Sequence, residues 1–283
     1  MDLNPNTALH RRPTETFPIP ARGAIRFFRR MSRARLLFRQ IGQRAYFIKD
    51  IVHGFVEPGT WFSELTYQMR AIGVDSVPLT LLVAAFIGAV ISVQTRYQLF
   101  AGVQLSVVGL ATRQTIILEM GPLLTGLVLA GRVGARITAE IGTMRVTEQI
   151  DALETLAYDP IAYLVVPRVL AAILMLPVLV ILADAIGVYS GFVVGITATD
   201  ITSQDFKEGL RLSFSNFQVF YSLLKATMFG GAIGVLCSYE GYITGAGAEG
   251  VGRSTARAVV ITSVAILVLD LLTAAALGQY LQA

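Results

Sequence analysis

In 283 residues there is one cysteine, one tryptophan and two histidines, and charged side chains make up only 15% of the chain. A single thiol, Cys237, excludes an intrachain disulfide framework and any metal or iron–sulfur site built from several cysteines. His10 and His53 lie outside the hydrophobic stretches and form no metal-binding spacing. The shortage of charge excludes more. Soluble domains carry about 25% charged residues, whereas here 54% of side chains are hydrophobic and the mean hydropathy is +0.63. Too little polar side chain is left to coat a water-facing globule, so disorder throughout, collagen, coiled coil and an ordinary soluble enzyme are excluded. What remains is an all-α integral membrane protein.

The charges present are unevenly placed. Residues 1–50 hold 11 Lys/Arg against three acids, a net of +8, and residues 51–283 hold 12 against 16, a net of −4. A basic end stays cytoplasmic, and beside an apolar body its counter-charge is anionic lipid headgroups rather than nucleic acid. Residues 1–21, broken by Pro5, Pro13, Pro18 and Pro20, are expected to be a disordered tail. No uncharged apolar core follows the early arginines, which argues against a cleaved secretory signal. Over about 22–52, Phe27, Met31, Ala34, Phe38, Ile41, Ala45, Ile48 and Val52 recur at steps of three and four, with arginines on the other faces. That pattern predicts an amphipathic helix in the membrane interface; a coiled-coil or soluble packing helix is the alternative.

Five spans follow, at about 76–98, 105–131, 167–197, 212–239 and 258–280. The second is interrupted by Arg113, Glu119 and Pro122, which predicts a bend. The third reads as one long tilted helix, or as two half-length pieces divided at Asp184 and Gly187, which would reverse the topology of everything after it. Gly187, Gly191 and Gly195, four apart, give it a flat face for close helix contact. Residues 143–159 read as a short amphipathic helix outside the membrane, with an apolar stripe that includes Ile150 and Leu153 and an acidic stripe of Glu148, Asp151 and Glu154. Residues 198–211 read as a loop on the far side, and 240–252 as a Gly-rich linker. Starting inside, five crossings put the Lys/Arg-rich segments on the near side.

Ionisable groups inside hydrocarbon point to function, and Glu119, Asp184, Lys225 and Asp270 qualify. The last three also suit a structural pairing, Lys225 with Asp270 or Asp184. Glu119 stands at a Gly-Pro break, where helix geometry opens a cavity. Neither Gly131–Arg136 nor the later Gly-rich stretch supplies the lysine and hydroxyl of a nucleotide-binding loop, and there is no GxSxG elbow or HExxH helix. A non-catalytic chain with no cofactor and no metal of its own is expected.

The run from Glu119 to Pro167, EMGPLLTGLVLAGRVGARITAEIGTMRVTEQIDALETLAYDPIAYLVVP, resembles the MlaE family, the permease subunits of bacterial phospholipid ABC transporters and their chloroplast relatives. The resemblance rests on the ExGP break, the AGRxGAxxTAEIGxMRVTEQIDAL block, the following DP, Pro167-Arg168, Gly241-Tyr242 and Ser254 to Arg257, and it covers roughly residues 25–280. It implies an interfacial helix and five crossings, a homodimer with phospholipid between the subunits, two copies of a cytoplasmic ABC ATPase that binds ATP and Mg, and an MCE-type substrate-binding protein on the outer side. It implies a multi-pass protein of the bacterial inner membrane with a cytoplasmic N-terminus. In this family's terms residues 143–159 are the coupling helix, with Glu148, Ile150, Asp151, Leu153 and Glu154 meeting the ATPase. Glu119 lies beside the lipid cavity; some members carry an arginine before it, where this chain has Leu118. Lys225 and Asp270 match polar positions of related permeases. Leu99 and Phe100, at the far end of the first crossing, would face acyl chains. The rival from another class is an ion-coupled secondary carrier built on Glu119, Asp184, Lys225 and Asp270.

Overall fold

The computed structural model describes residues 42–56, 58–100 and 102–281. The expected tail, 1–21, and most of the expected interfacial helix lie outside them. Contacts divide the chain into Met1–Tyr46 and Phe47–Ala283; of the smaller unit only residues 42–46 are described, and they are helical.

Among the described residues every regular element is helical. Residues 42–54 form α1, followed by α2 (Pro58–Ile72). After a 3₁₀ turn at Val74–Ser76, α3 spans Val77–Gln98 with Pro78 in its first turn, where a missing N–H leaves nothing unbonded. Its 22 residues reach about 33 Å, the thickness of a hydrocarbon core. α4 (Ser106–Thr115), α5 (Gly121–Leu129) and α6 (Ala135–Val146) are joined end to end through wide π-type turns at Ile116–Met120 and Ala130–Gly134. α7 covers Gln149–Thr155, and a third π-type turn, Ile161–Val165, leads into α8 (Val166–Ala198). α9 (Ser203–Arg211), α10 (Asn216–Tyr242) and α11 (Gly247–Leu277) complete the order. Five helical runs are long and apolar enough to cross a membrane: Trp61–Gln98, Ser106–Val146, Ile161–Ala198, Asn216–Tyr242 and Gly247–Tyr280.

Several expectations are corrected. The third crossing is one uninterrupted helix of 33 residues that carries both Asp184 and Gly187, so the two-piece alternative falls. The second crossing does not stop at 131 but stays helical to Val146. The helix expected over 143–159 is divided: Glu148 sits in the left-handed region (φ 60), leaving a seven-residue helix after it. That residue resets the helical phase, so Glu148 leaves the stripe on which Asp151 and Glu154 remain. The loop expected over 198–211 contains α9, capped by Thr202, whose hydroxyl accepts from Asp205 N–H, and packed on Val108 by fully buried Phe206. The 240–252 linker shrinks to a short turn, because α10 runs through buried Glu240 to Tyr242 and Gly247 begins α11.

The glycine face packs as expected. A Cβ on Gly88 of α3 would fall on the backbone of Gly187 in α8, and one on Gly191 would stand 2.9 Å from the Gly88 carbonyl. Two backbones touch where only hydrogens intervene, which is how helices adhere where burial of apolar surface gives no net drive. The principal core lies between α5, α6, α8, α10 and α11, with Leu129, Ile137, Ile141, Leu176, Phe229 and Ile233 fully or almost fully buried. Arg113, 3% exposed, donates to the carbonyls of Leu210 (2.6 Å), Leu212 (3.0 Å) and Ser213 (3.3 Å), capping the C-terminus of α9 with a cation.

Candidate functional site

The π-type turn at Ile116–Met120 organises the centre of the bundle. Pro122 has no N–H to give the carbonyl of Leu118 four residues earlier. Lys225 of α10 fills that vacancy: its Nζ lies 3.2 Å from Leu118 O, 2.8 Å from Glu119 Oε2 and 2.7 Å from Asp270 Oδ1 of α11, and 4.7 Å from the centre of the Tyr221 ring. Lys225 is fully buried, while the side chains of Asp270 and Glu119 keep 11% and 39% of their exposure. One ammonium thus pins the second, fourth and fifth crossings together at the break. Three of the four intramembrane residues singled out from sequence meet here. Asp184 does not: Ser222 donates to its Oδ2 at 3.2 Å, its Oδ1 has no hydrogen-bond partner among the described residues, and the carboxylate lies against Gly121, where any Cβ would collide with it.

Beside the turn, α3 walls a groove of about 500 Å³ lined by Phe86, Ile87, Val90, Ile91, Gln94, Thr95 and Gln98 on one side and by Thr115, Met120 and Leu124 of the second crossing on the other. A hollow of about 520 Å³ lies on the other flank of α3, against Val194, and shares Val90, Gln94 and Gln98 with it. Both fall within the range of ligand cavities, and their walls are apolar apart from the amides and hydroxyls near the end of α3 and Thr115 of α4. Glu119 turns its carboxylate to Lys225, while its neighbour Met120 lines the groove.

Leu99 and Phe100 are not part of these walls. Leu99 packs on the Val108, Ile201 and Phe206 cluster, and Phe100, 84% exposed, lies beyond the last groove residue, Gln98. Extended backbone at Leu99 ends the helix there and turns both side chains off its face. The amides Gln94 and Gln98 were missed by the sequence reading; four apart near the end of an apolar span, they were detectable as a polar face. At that same end Arg96 grips Asp200 with two parallel bonds, Nε–Oδ1 2.5 Å and Nη2–Oδ2 2.6 Å, tying α3 to the α8–α9 connection. The guanidinium holds the Asp200 carboxyl below the usual carboxylate range.

At the opposite end, Asp151 and Glu154 of α7 are exposed, and Arg145 reaches across the Glu148 break to Asp151 at 2.6 Å. Ile150, expected on a docking face, is fully buried in this chain's own core; Leu153 is half-buried and with Met144, Leu156 and Tyr163 lines a hollow of about 260 Å³.

An apolar groove edged by amides thus lies beside a cluster of one buried ammonium and two carboxylates, in a chain with five helices long and apolar enough to cross a membrane. The class, that of an ABC-transporter permease, comes from its relatives. The profile described as "Permease MlaE" matches residues 65–276, and the chain belongs to that family. It is 41% identical over 237 residues to a probable ABC transporter permease protein of Rickettsia bellii, covering 82% of this chain and 90% of that one. It is 33% identical over 243 residues to the intermembrane phospholipid transport system permease protein MlaE of Haemophilus influenzae, 85% and 93% of the two chains. It is also 33% identical over 204 residues to the chloroplastic protein TRIGALACTOSYLDIACYLGLYCEROL 1 of Arabidopsis thaliana, 72% and 58%.

Proposed function

We propose that two copies of this chain form the membrane core of a transporter moving phospholipid between the bacterial inner membrane and a periplasmic MCE-type lipid-binding protein. Two copies of a separate cytoplasmic ATPase, which bind ATP and Mg, drive it, and the N-terminus is cytoplasmic. The chain performs no chemistry of its own. The observation that carries the reading is the pair of apolar hollows on either flank of α3 with Val90, Gln94 and Gln98 common to both: a molecule with two apolar tails and one polar head fits such a ridge. The name of the Haemophilus relative supplies the lipid class, and the basic N-terminal fifty residues support the orientation.

The mechanism follows from parts on either side of the bundle. ATP-driven closure of the partner displaces the 147–160 hairpin through exposed Asp151 and Glu154 and the apolar hollow around Leu153, with Glu148 at its hinge. The displacement changes the groove beside α3, and lipid is released or loaded at the Arg96–Asp200 end. The buried triad, with its lysine already engaged by two carboxylates and a carbonyl, serves as a fixed point rather than a proton path.

The test is reconstitution in phospholipid vesicles with the ATPase and the lipid-binding protein. ATP-dependent transfer of labelled phospholipid that is abolished by Val90→Trp, with the complex intact, supports the reading. Transfer driven by an ion gradient without the ATPase replaces it with the carrier. Lipid-stimulated hydrolysis that survives reversal of Glu148, Asp151 and Glu154 to lysine defeats the coupling role of the hairpin.

A further inference from the structure

The hairpin at 147–160 is flanked by α6 on one side and by the π-type turn before α8 on the other, and one side chain joins the two flanks. Arg168, in the first turn of α8, is 3% exposed. Its Nη1 donates to the carbonyl of Leu164 at 2.6 Å, inside the π-type turn, and its Nη2 lies 3.5 Å from Glu140 Oε2 on α6. The other oxygen of Glu140 accepts from Arg136 Nε at 2.7 Å, and Arg136 Nη1 stands 3.9 Å from Asp75, in the 3₁₀ turn immediately before α3. A chain of charge contacts, its last link long and exposed, therefore runs from the base of α8, across α6, to the base of the helix that lines the groove.

A buried guanidinium is expensive unless its donors are used, and a single anchor on an N-terminal turn is an unfavourable place for a cation. Packing alone would be served at that position by an apolar residue. An arginine there gains one thing an apolar residue lacks, a planar fork that holds two elements at once.

We propose that Arg168 is a positioning residue: by holding Glu140 and the Leu164 carbonyl together it makes both flanks of the hairpin move as one body, and Glu140 passes that movement through Arg136 to the turn that starts α3. The inference rests on the ATP-driven permease reading. Arg168 touches no lipid; it decides how much lipid moves for each nucleotide consumed.

The experiment uses the full complex in vesicles, with wild type, Arg168→Lys, Glu140→Gln and the double variant, reading lipid transferred and ATP hydrolysed in the same sample. Lysine keeps the charge without the fork, and glutamine keeps the shape without the charge. Expected are hydrolysis near the wild-type rate, a lipid-per-ATP ratio lower by about five-fold in each single variant, and a double variant no worse than either single one, because both break the same link. An unchanged ratio overturns the proposal, and so do single losses that multiply in the double variant. Equal falls in transfer and hydrolysis, or failure of both single variants to assemble, also overturn it, since they make the tie a matter of stability alone. If the wild-type complex transfers no lipid with ATP, it is the permease reading that fails instead.

Discussion

Lys225→Met tests the buried triad most directly. Methionine matches the volume of the lysine stem, so packing against Tyr221 persists while the charge disappears. Glu119, with 39% of its side chain exposed, has an outlet toward solvent or headgroups; Asp270, at 11%, has far less, and the Leu118 carbonyl loses its donor. Hydrogen bonds between membrane helices average only about 0.6 kcal/mol, so the stranded Asp270 charge dominates. Removing one partner of a buried pair costs about 3–5 kcal/mol; the remaining exposure of Asp270 favours the lower end, about 3 kcal/mol. For a protein of this size that corresponds to a fall in Tm of about 6–12 °C. The single thiol, buried Cys237, provides the assay, because a thiol-reactive fluorophore gains signal only as the bundle opens. Adding Asp270→Leu to Lys225→Met removes the stranded charge and is expected to restore at least half of the loss. If the single and double variants melt together, or the single variant melts with the wild type, the triad is not what holds the break in the second crossing.

Gly88→Ala forces α3 off Gly187 and is expected to destabilise by about 1–3 kcal/mol, read as a lowered Tm, whereas Gly131→Ala, with open space at its Cβ, is expected to be neutral or slightly stabilising. Because the folded Asp200 carboxyl lies below its unfolded value, its contribution is complete above the ordinary carboxylate range and is lost as pH falls through the folded pKa. Melting in an acid titration is expected to show that loss, and Asp200→Asn to flatten it. Glu148→Gly relieves a left-handed residue and is expected to raise stability by up to about 1 kcal/mol, while Glu148→Val is expected to lower it by a similar amount, both measured by thermal melts.

Composition and hydropathy alone determined the class and the number of crossings, because a chain with this little charge and five apolar runs has no other way to satisfy its backbone. The glycine face at Gly187, Gly191 and Gly195 was equally legible, since a four-residue period places small residues on one side of a helix whatever it packs against. The Pro122 break announced a distortion near Glu119, again from local chemistry. Which groups answer it was decided by the fold. Lys225 lies 106 residues from Glu119, and only the packing of α10 against the break selects Glu119 and Asp270 over Asp184 as its partners. Periodicity assumes an unbroken helix, so it could not register the left-handed backbone at Glu148, which splits the acidic stripe, or at Ala157. The groove is likewise a tertiary object: Gln94 and Gln98 are ordinary amides in sequence, and they become its edge only because α3 stands beside a turn widened by a proline that cannot donate.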